Sequence, residues 1–361
     1  MSTAPITDGA AIGALATRLA GAPRIGLDTE FMRERTYRPQ LCLLQMALPG
    51  EICCIDPLAE ASLEPLAPAM RAPQVTKIIH AARQDLEVLW PLFGSLEGVF
   101  DTQIAAALTG LPAQIGYSDL VNRLLGVHLA KAETRTDWSR RPLTAAQLTY
   151  AAEDVAHLEA LHAALVARLK EMGRLAWLQE ELEGLALPGN LFVDPERAWE
   201  RLRWAGELDE DRRRLLGLLA AWRERRAAEK NRPRSWILDD AGLRNLVLQA
   251  PRDMAALMQV PELTPGFVER SGAALLEVID AAALPARLPP PPSRPRPDPE
   301  KTALVKRLSA VVQTVAGELK LSPEILATRR ELEQIASSVT DVQVLRGWRR
   351  EVIGERLLAG I

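Results

Sequence analysis

Short apolar runs separated by turn residues dominate the first half of the chain. Five of these runs have the length of β-strands, and they cover residues 25–29, 41–48, 51–56, 76–80 and 99–101. Apolar residues at helical spacing predict helices at 11–20, 62–71, 84–90, 102–108, 118–126, 144–170 and 171–184. Pro49-Gly50 between the second and third runs predicts a hairpin. A meander followed by alternating strands and helices indicates a mixed α/β domain that ends near residue 170.

Beyond residue 190 the strand pattern disappears. Helical spacing predicts helices at 209–230, 239–248, 251–258 and 264–280, and it resumes over 301–361. Residues 285–299 contain eight prolines, which favours an extended polyproline II spacer. The predicted organisation is an α/β domain, a helical connector, a helical domain, a linker and a second helical domain, with boundaries at 1–170, 171–208, 209–284, 285–299 and 300–361.

Composition narrows the class of protein. The chain has 361 residues, 48% of them apolar, which allows two or three domains with real cores. The formal net charge of −3 argues against a wholly basic nucleic-acid coat. No apolar run reaches the roughly 18 residues of a membrane helix, and the N-terminus lacks a signal-peptide pattern. Cys42, Cys53 and Cys54 have no metal-type spacing. We therefore expect a soluble, cytoplasmic protein with no membrane association.

One stretch has a strong excess of positive charge. Residues 212–234 contain nine basic side chains and two acidic ones. A solvated helix face and a phosphate-facing patch both fit this pattern, and because the acidic partners are missing both interpretations stay open.

Two carboxylates at the end of the first predicted strand suggest a metal site. Alternation along a strand places Asp28 and Glu30 on one face and Thr29 on the other. The two acidic groups repel each other, and a divalent cation between them removes that repulsion, because Mg²⁺ and Mn²⁺ prefer carboxylate oxygens. Taken alone, the pair is more often a solvated turn.

Three further residues change these odds. Asp85 opens a predicted helix, and Tyr150 and Asp154 are four residues apart on one helix face. Phosphodiester hydrolysis needs phosphate charge neutralised, an activated water and a stabilised leaving oxygen, which two metal ions supply. In this hypothesis Asp28 bridges the two ions, Glu30 and Asp154 hold one of them, and Asp85 helps to hold the other. Tyr150 orients the attacking water through a hydrogen bond.

These motifs carry a resemblance to a known family. Asp-x-Glu, then Asp85, then Tyr-x-x-x-Asp match the exonuclease motifs of the DEDD superfamily, tyrosine subtype. The stretches Phe100-Asp101-Thr102-Gln103 and Asp137-Trp138-Ser139-Arg140-Arg141-Pro142-Leu143 resemble ribonuclease D. Residues 209–280 resemble the helicase-and-RNase-D C-terminal (HRDC) domain, and residues 301–361 look like a second, diverged copy.

The resemblance implies a fold and an activity. The implied fold is a ribonuclease-H-like mixed sheet flanked by helices, with Asp28 and Glu30 on a central strand, followed by two all-α HRDC-type domains. The implied activity is a 3′→5′ exoribonuclease that uses two divalent metal ions, Mg²⁺ or Mn²⁺. It removes mononucleotides from RNA 3′ ends, notably from tRNA precursors with 3′ trailing nucleotides. A monomer is expected. The residues at the five catalytic positions are Asp28, Glu30, Asp85, Tyr150 and Asp154.

A second group of residues near these motifs is expected to contact the substrate: Thr29, Phe31, Met32, His80, Trp138 and Arg141. Phe31 and Met32 suit stacking on the terminal base or packing in the core. His80 suits a contact to the terminal nucleotide, although a lone histidine is more often structural. Trp138 and Arg141 suit a wall and a phosphate clamp, or packing under the domain.

Two alternatives stay open from the sequence. One is a DNA-directed 3′→5′ exonuclease with the same motifs, since the contacts to the RNA 2′-hydroxyl are not visible in a sequence. The other is a catalytically inactive RNA-binding scaffold. No G-x-x-x-x-G-K-[ST] phosphate loop occurs, which argues against a helicase.

Overall fold

The computed structural model describes residues 4–129, 136–283 and 298–360. Its contacts divide the chain into two compact units. The first, here called the sheet unit, comprises Met1–Met32, Gln40–Leu191 and Pro297–Ile361. The second, the helical unit, comprises Arg33–Pro39 and Phe192–Arg296.

A five-stranded mixed sheet forms the centre of the sheet unit. The strands are β1 (Arg24–Met32), β2 (Gln40–Leu48), β3 (Glu51–Ile55), β4 (Thr76–Ile79) and β5 (Val99–Asp101). Their order is β3-β2-β1-β4-β5. β1 is antiparallel to β2 and parallel to β4, so it is the middle strand. The predicted mixed sheet is confirmed, and so is the central position of the strand that carries Asp28 and Glu30.

Helices cover this sheet. They are α1 (Gly9–Ala20), α2 (Ala67–Arg71), α3 (Arg83–Phe93), α4 (Thr102–Leu108), α5 (Tyr117–Leu125), α6 (Ala145–Ala156), α7 (Leu158–Glu171), α8 (Leu175–Glu183) and α9 (Pro188–Leu191), with a 3₁₀ turn at Glu64–Leu66. α6 packs on β1, β2 and β3, and α7 packs on β1 and β4. Leucines at helical spacing on α7, among them Leu158, Leu161 and Leu165, are fully buried, which is the pattern expected of a core-facing helix.

The prediction of one continuous helix over 144–170 is wrong. The helix breaks at His157, between α6 and α7. The hydroxyl of Tyr117 accepts a hydrogen bond from the His157 amide at 3.1 Å and donates one to the Glu153 carbonyl at 3.0 Å. This hydroxyl therefore stands in place of the direct i→i−4 bond, which is a recognised cause of helix kinks.

The described residues of the helical unit contain helices and no strand. They are α10 (Glu210–Lys230), α11 (Arg234–Ile237), α12 (Asp240–Gln249), α13 (Met254–Leu257) and α14 (Pro265–Ala283), preceded by 3₁₀ turns at Pro195–Arg201 and Arg203–Glu207. Asp209 and Asp239 cap α10 and α12 through side-chain hydrogen bonds, as the sequence signals predict. Buried leucines and valines of α10, α12 and α14 form its core.

The C-terminal segment packs within the sheet unit. Its helices are α15 (Pro299–Leu319), α16 (Pro323–Leu326), α17 (Arg329–Ile335), α18 (Gly347–Arg349) and α19 (Glu355–Leu358), with a 3₁₀ turn at Gln343–Leu345 and a π-helical turn at Arg350–Gly354. They share one apolar core with α7 and α8. Arg174 donates hydrogen bonds to the carbonyls of Leu108 and Leu319, both at 2.7 Å. The contacts thus group this segment with the sheet, whereas the sequence pattern suggested a separate domain.

Two further sequence expectations concern the linker and membrane association. The predicted linker at 285–299 lies almost wholly outside the described residues. In the part of the chain that the structure describes, no helix is long and apolar enough to cross a membrane.

Candidate active site

The two carboxylates of β1 lie on the face of the sheet that α6 and α7 cover. Asp28 pairs with Gln45 and Glu30 with Leu43 on the antiparallel neighbour β2. The register shifts directly after Glu30 and pairing then resumes at Phe31, so an irregularity of the β-bulge type lies beside the acidic residues. Two residues before Asp28 is Gly26, where a Cβ would lie 3.2 Å from Leu158 Cδ1. The glycine lets the helix layer approach this face closely.

Helix α6 brings the second part of the site. Its N-terminus is fixed by a capping box in which the Thr144 and Gln147 side chains each bond the other's backbone amide. Tyr150 and Asp154 then lie one turn apart, and the Tyr150 hydroxyl is hydrogen-bonded to the Asp154 carboxylate. Carboxylate oxygens of Asp28, Glu30 and Asp154 all lie within 4.8 Å of one another. We call these three residues the acidic cluster.

Asp85 reaches the site from the first turn of α3. It is buried, and its Oδ1 accepts a hydrogen bond from the Thr29 hydroxyl at 2.6 Å. Thr29 was expected to contact substrate, but its buried hydroxyl is occupied by Asp85. The turn before α3 is held by Asp101, whose carboxylate accepts from the amides of Ala81 and Ala82 at 3.1 and 2.8 Å. Asp85 thus stands beside the acidic cluster but is not one of its three mutually close members.

Burial raises the pKa of all four carboxyl groups, and repulsion within the group raises it further for Asp28 and Glu30. Burial is the largest cause in each case. The pKa of Asp28 lies well above its usual value, with further contributions from the charges of Asp85 and Asp154. The pKa of Glu30 rises to about 8 and that of Asp85 to about 7. The pKa of Asp154 rises to about 6, and the Tyr150 hydrogen bond opposes part of this rise. The site therefore holds protons that a cation would displace.

Tyr150 keeps its proton at physiological pH. Burial and the charges of Asp154 and Glu30 raise the pKa of the phenol. The ring lies 6.1 Å from the ring of Trp138 between centroids, tilted by 31°. A neutral phenol fixed in this way is a hydrogen-bond partner for water or a phosphate oxygen.

Oxygen-only donors of this kind fit a hard divalent cation. The acidic cluster offers carboxylates from β1 and α6, with Asp85 nearby, and no sulfur or imidazole atom takes part. Mg²⁺ and Mn²⁺ prefer such ligands, whereas zinc sites favour cysteine and histidine.

Arg141, the expected phosphate clamp, is fully engaged within the protein. Its Nε and Nη2 donate to the Asp56 carboxylate, Nη2 also donates to the Cys42 carbonyl, and Nη1 donates to the carbonyls of Trp138 and Arg140. A guanidinium has five N–H donors, and all five are used. The structure thus gives Arg141 an architectural position.

The remaining expected contacts also have packing roles. His80 Nε2 lies 3.0 Å from the Ile115 carbonyl and Nδ1 lies 2.8 Å from Thr102 Oγ1, so both ring nitrogens are occupied. Burial lowers the pKa of His80. Trp138 is buried in a small apolar cluster, and Met32 packs against it. Phe31 is only partly buried, directly after the register shift.

The prediction that residues 212–234 lack acidic partners is wrong. At least six of the nine basic side chains form ion pairs: Arg212, Arg214, Arg223, Arg225, Arg226 and Arg234. Several partners are three or four residues away on α10 itself, a spacing that helix geometry favours. A different feature of this region was missed from sequence. Trp236 is 57% exposed, and the Arg232 guanidinium lies 5.7 Å from its ring centroid.

Two other residues near the acidic cluster were also missed. Tyr117 bonds the carbonyl of Glu153, the residue before Asp154, and the amide of His157 at the break after α6. No sequence signal ties Tyr117 to that helix. Gln45 is fully buried on β2 opposite Asp28. A polar residue inside the apolar run 41–48 was the available signal for Gln45.

Comparison with protein-family models gives two matches. A model described as a 3′-5′ exonuclease matches residues 3–170, and a model described as an HRDC domain matches residues 212–279. The acidic cluster, Asp85 and Tyr150 all fall inside the first match.

Known proteins resemble the chain along nearly its whole length. It is 42% identical over 354 residues to ribonuclease D of Gluconacetobacter diazotrophicus, covering 95% of this chain and 88% of that protein. Identity to ribonuclease D of Pseudomonas paraeruginosa is 40% over 349 residues, covering 93% and 91%. The crystal structure of Escherichia coli RNase D, described as an exoribonuclease involved in structured RNA processing, matches with a TM-score of 0.87 and 32% identity. That match covers 100% of this chain and 98% of that one.

Proposed function

Because the chain belongs to the ribonuclease D family and is a 3′→5′ exoribonuclease, we propose that its acidic cluster and Asp85 hold two divalent metal ions at the catalytic centre. Exonucleases of this fold generally use divalent metals. The observation that carries the proposal is the convergence of Asp28, Glu30 and Asp154 oxygens within 4.8 Å. Bound divalent ions neutralise phosphate charge, lower the pKa of water and stabilise the leaving oxygen.

The protein's own residues supply position and proton control. Asp28, on the central strand, would be a ligand of both ions, Glu30 and Asp154 would hold one of them, and Asp85 would help to hold the other. Tyr150 stays a neutral phenol and orients the attacking water by a hydrogen bond, while Asp154 fixes the direction of that phenol. Thr29 keeps Asp85 in one rotamer through the 2.6 Å bond to its carboxylate.

RNA is the substrate class, and we propose tRNA precursors with 3′ trailing nucleotides as the natural form. The relative from E. coli is described as acting in structured RNA processing, and tRNA is a structured RNA with a free 3′ end. The HRDC match at 212–279 supports a second RNA contact outside the catalytic centre. We propose Trp236 with Arg232 as part of that contact, since an exposed aromatic ring beside a cation suits an unpaired base. We also propose a cytoplasmic monomer.

The test is hydrolysis of end-labelled RNA by the full chain. A 5′-labelled RNA should shorten stepwise from its 3′ end with Mg²⁺ or Mn²⁺, a 3′-labelled RNA should release its label as a mononucleotide at once, and a chelator should stop both. A DNA strand of the same sequence should be cut much more slowly. Asp28→Asn should remove activity and leave the fold intact. Metal-dependent activity retained in Asp28→Asn would contradict the two-metal assignment, and faster cutting of DNA would favour the DNA-directed alternative.

A further inference from the structure

Gln45 is a buried polar side chain with no hydrogen-bond partner among the described residues. Its exposure is 0%, and neither Nε2 nor Oε1 of its amide is bonded to any described group. Nearly all buried polar side chains in proteins are hydrogen-bonded, because an unmatched donor or acceptor loses its hydration without compensation. An apolar residue of the same size would avoid this cost. The amide at position 45 therefore calls for a functional explanation.

The position of Gln45 places it beside the catalytic centre. In the sheet register Gln45 lies directly opposite Asp28 on β1 and directly opposite Cys54 on β3. Directly opposed residues of antiparallel strands point to the same face, with Cβ atoms about 5 Å apart. Gln45 and Ala47 alternate onto this face, and a Cβ at Gly26 would meet both Ala47 and Leu158 there. The amide therefore shares the helix-covered face with the Asp28 carboxylate.

The chemistry of an amide suits this neighbour. Cys54 is neutral at physiological pH, because burial raises its pKa to about 11. The carboxylate of Asp28 is thus the strongest acceptor directly opposite Gln45. An amide N–H stabilises an ionised carboxylate without adding charge. A lysine or arginine at position 45 would do so only by repelling the cations that the acidic cluster is proposed to hold.

We propose that Gln45 is a positioning residue whose side-chain N–H donates a hydrogen bond to the Asp28 carboxylate when that carboxylate binds metal. This inference rests on the proposed metal-binding function. Hydrogen bonds to metal-ligating carboxylates fix ligand orientation, and their loss typically weakens metal binding by about 10- to 100-fold. Gln45 would act through Asp28 and would not itself touch RNA.

The test compares Mn²⁺ binding by the wild type, Gln45→Met and a control. Methionine matches the length of glutamine and lacks the amide. The control is Met46→Leu, since Met46 is also fully buried, follows Gln45 on β2 and points to the opposite face. Mn²⁺ affinity of the full chain is measured without RNA by electron paramagnetic resonance of free Mn²⁺. We expect about 10- to 100-fold weaker binding in Gln45→Met and wild-type binding in Met46→Leu.

Two further readouts separate positioning from simple packing. The melting temperature of metal-free Gln45→Met should equal or exceed that of the wild type, because two unmatched polar atoms are gone. Its exonuclease activity should recover as Mn²⁺ is raised. Equal Mn²⁺ affinity in wild type and Gln45→Met would overturn this inference alone. Failure of the wild type to bind Mn²⁺ would overturn the proposed function and this inference with it.

A wild-type crystal structure with Mn²⁺ keeps the inference testable if Gln45→Met does not fold. Gln45 Nε2 within about 3.2 Å of an Asp28 carboxylate oxygen is the expected result. An amide beyond that distance, with Mn²⁺ bound to Asp28, would overturn it.

Discussion

Metal binding at the acidic cluster should release protons at neutral pH. In the metal-free chain the pKa of Glu30 is raised to about 8, that of Asp85 to about 7 and that of Asp154 to about 6, while the pKa of Asp28 lies well above its usual value. A divalent cation binds the ionised carboxylates. Adding Mg²⁺ or Mn²⁺ is therefore the perturbation, and displaced protons are its consequence.

The size of this release follows from the raised pKa values. At pH 7 a group with a pKa of about 8 is roughly nine-tenths protonated, one with a pKa of about 7 roughly half, and one with a pKa of about 6 roughly one-tenth. Loading the site at pH 7 should then release about 1.5 protons from Glu30, Asp85 and Asp154, and up to about one more from Asp28. At pH 9 the first three groups should contribute only about 0.1 proton.

Isothermal titration calorimetry measures this release directly. Mn²⁺ is titrated into the full chain in two buffers with different ionisation enthalpies, and the difference in heat gives the number of protons. Glu30→Gln is the matched variant, and it should lower the release at pH 7 by about 0.9 proton. Binding heats that are identical in both buffers at pH 7 would refute the account, since the carboxyl groups would then be ionised before metal arrives.

The protons held by these four carboxyl groups also determine how the stability of the metal-free protein changes with pH. A carboxyl group whose pKa is raised in the folded state favours folding when protonated. Its contribution is lost as pH rises from about 4, its value in unfolded chains, through the folded pKa. The metal-free protein should therefore lose stability between about pH 4 and pH 8, where these carboxyl groups are ionised in the unfolded chain but still hold protons in the folded one. Saturating Mn²⁺ should remove this loss in thermal unfolding. A metal-free protein whose stability rises steadily over that range would contradict the reasoning.

Three further predictions concern single residues. Tyr150→Phe should lower kcat by about 10²- to 10³-fold and leave RNA affinity nearly unchanged, because only the orienting hydroxyl is lost. Steady-state kinetics and RNA binding in the presence of a chelator test this, and a defect in affinity alone would make Tyr150 a substrate contact. Arg141→Gln should lower the free energy of unfolding by about 3 kcal/mol, since it leaves Asp56, whose side chain is 8% exposed, buried without its partner. Denaturant titration measures this loss. Unchanged stability together with weaker RNA binding would favour the phosphate-clamp interpretation of Arg141. Trp236→Ala should weaken binding of a tRNA-like substrate by about 10-fold and leave binding of a short single strand unaffected. Leu248→Ala, at a residue 42% exposed in the same unit, serves as the control. Filter binding tests both variants, and equal losses of affinity for the two substrates in Trp236→Ala would contradict the proposal.

The sequence was most informative where chemistry and local periodicity coincide. The alternation of Asp28 and Glu30 on a strand and the four-residue spacing of Tyr150 and Asp154 both depend on neighbours along the chain. The observed strands lie within a few residues of the predicted bounds, because strand patterns also depend on neighbours along the chain. The family resemblance supplied the central position of the strand that carries Asp28 and Glu30, which periodicity does not encode.

Features that depend on distant partners were not accessible from sequence. The break after α6 needs the hydroxyl of Tyr117, which lies 40 residues before His157. Arg141 could be read as a phosphate clamp because Asp56, its partner, lies 85 residues away. Thr29 could be read as a substrate contact because its bond to Asp85 spans 56 residues. In each case the hydrogen-bond partner is distant in the sequence, so the pattern around the residue did not reveal it.

The central claim is that carboxylates from β1, α3 and α6 jointly hold two metal ions beside Tyr150. Anomalous diffraction from crystals grown with Mn²⁺ tests it most directly. We expect two peaks about 3.5–4 Å apart, both in contact with Asp28, with Glu30 and Asp154 on one ion and Asp85 on the other, directly or through water. No peak at these carboxylates in an enzyme that is active with Mn²⁺ would contradict the claim.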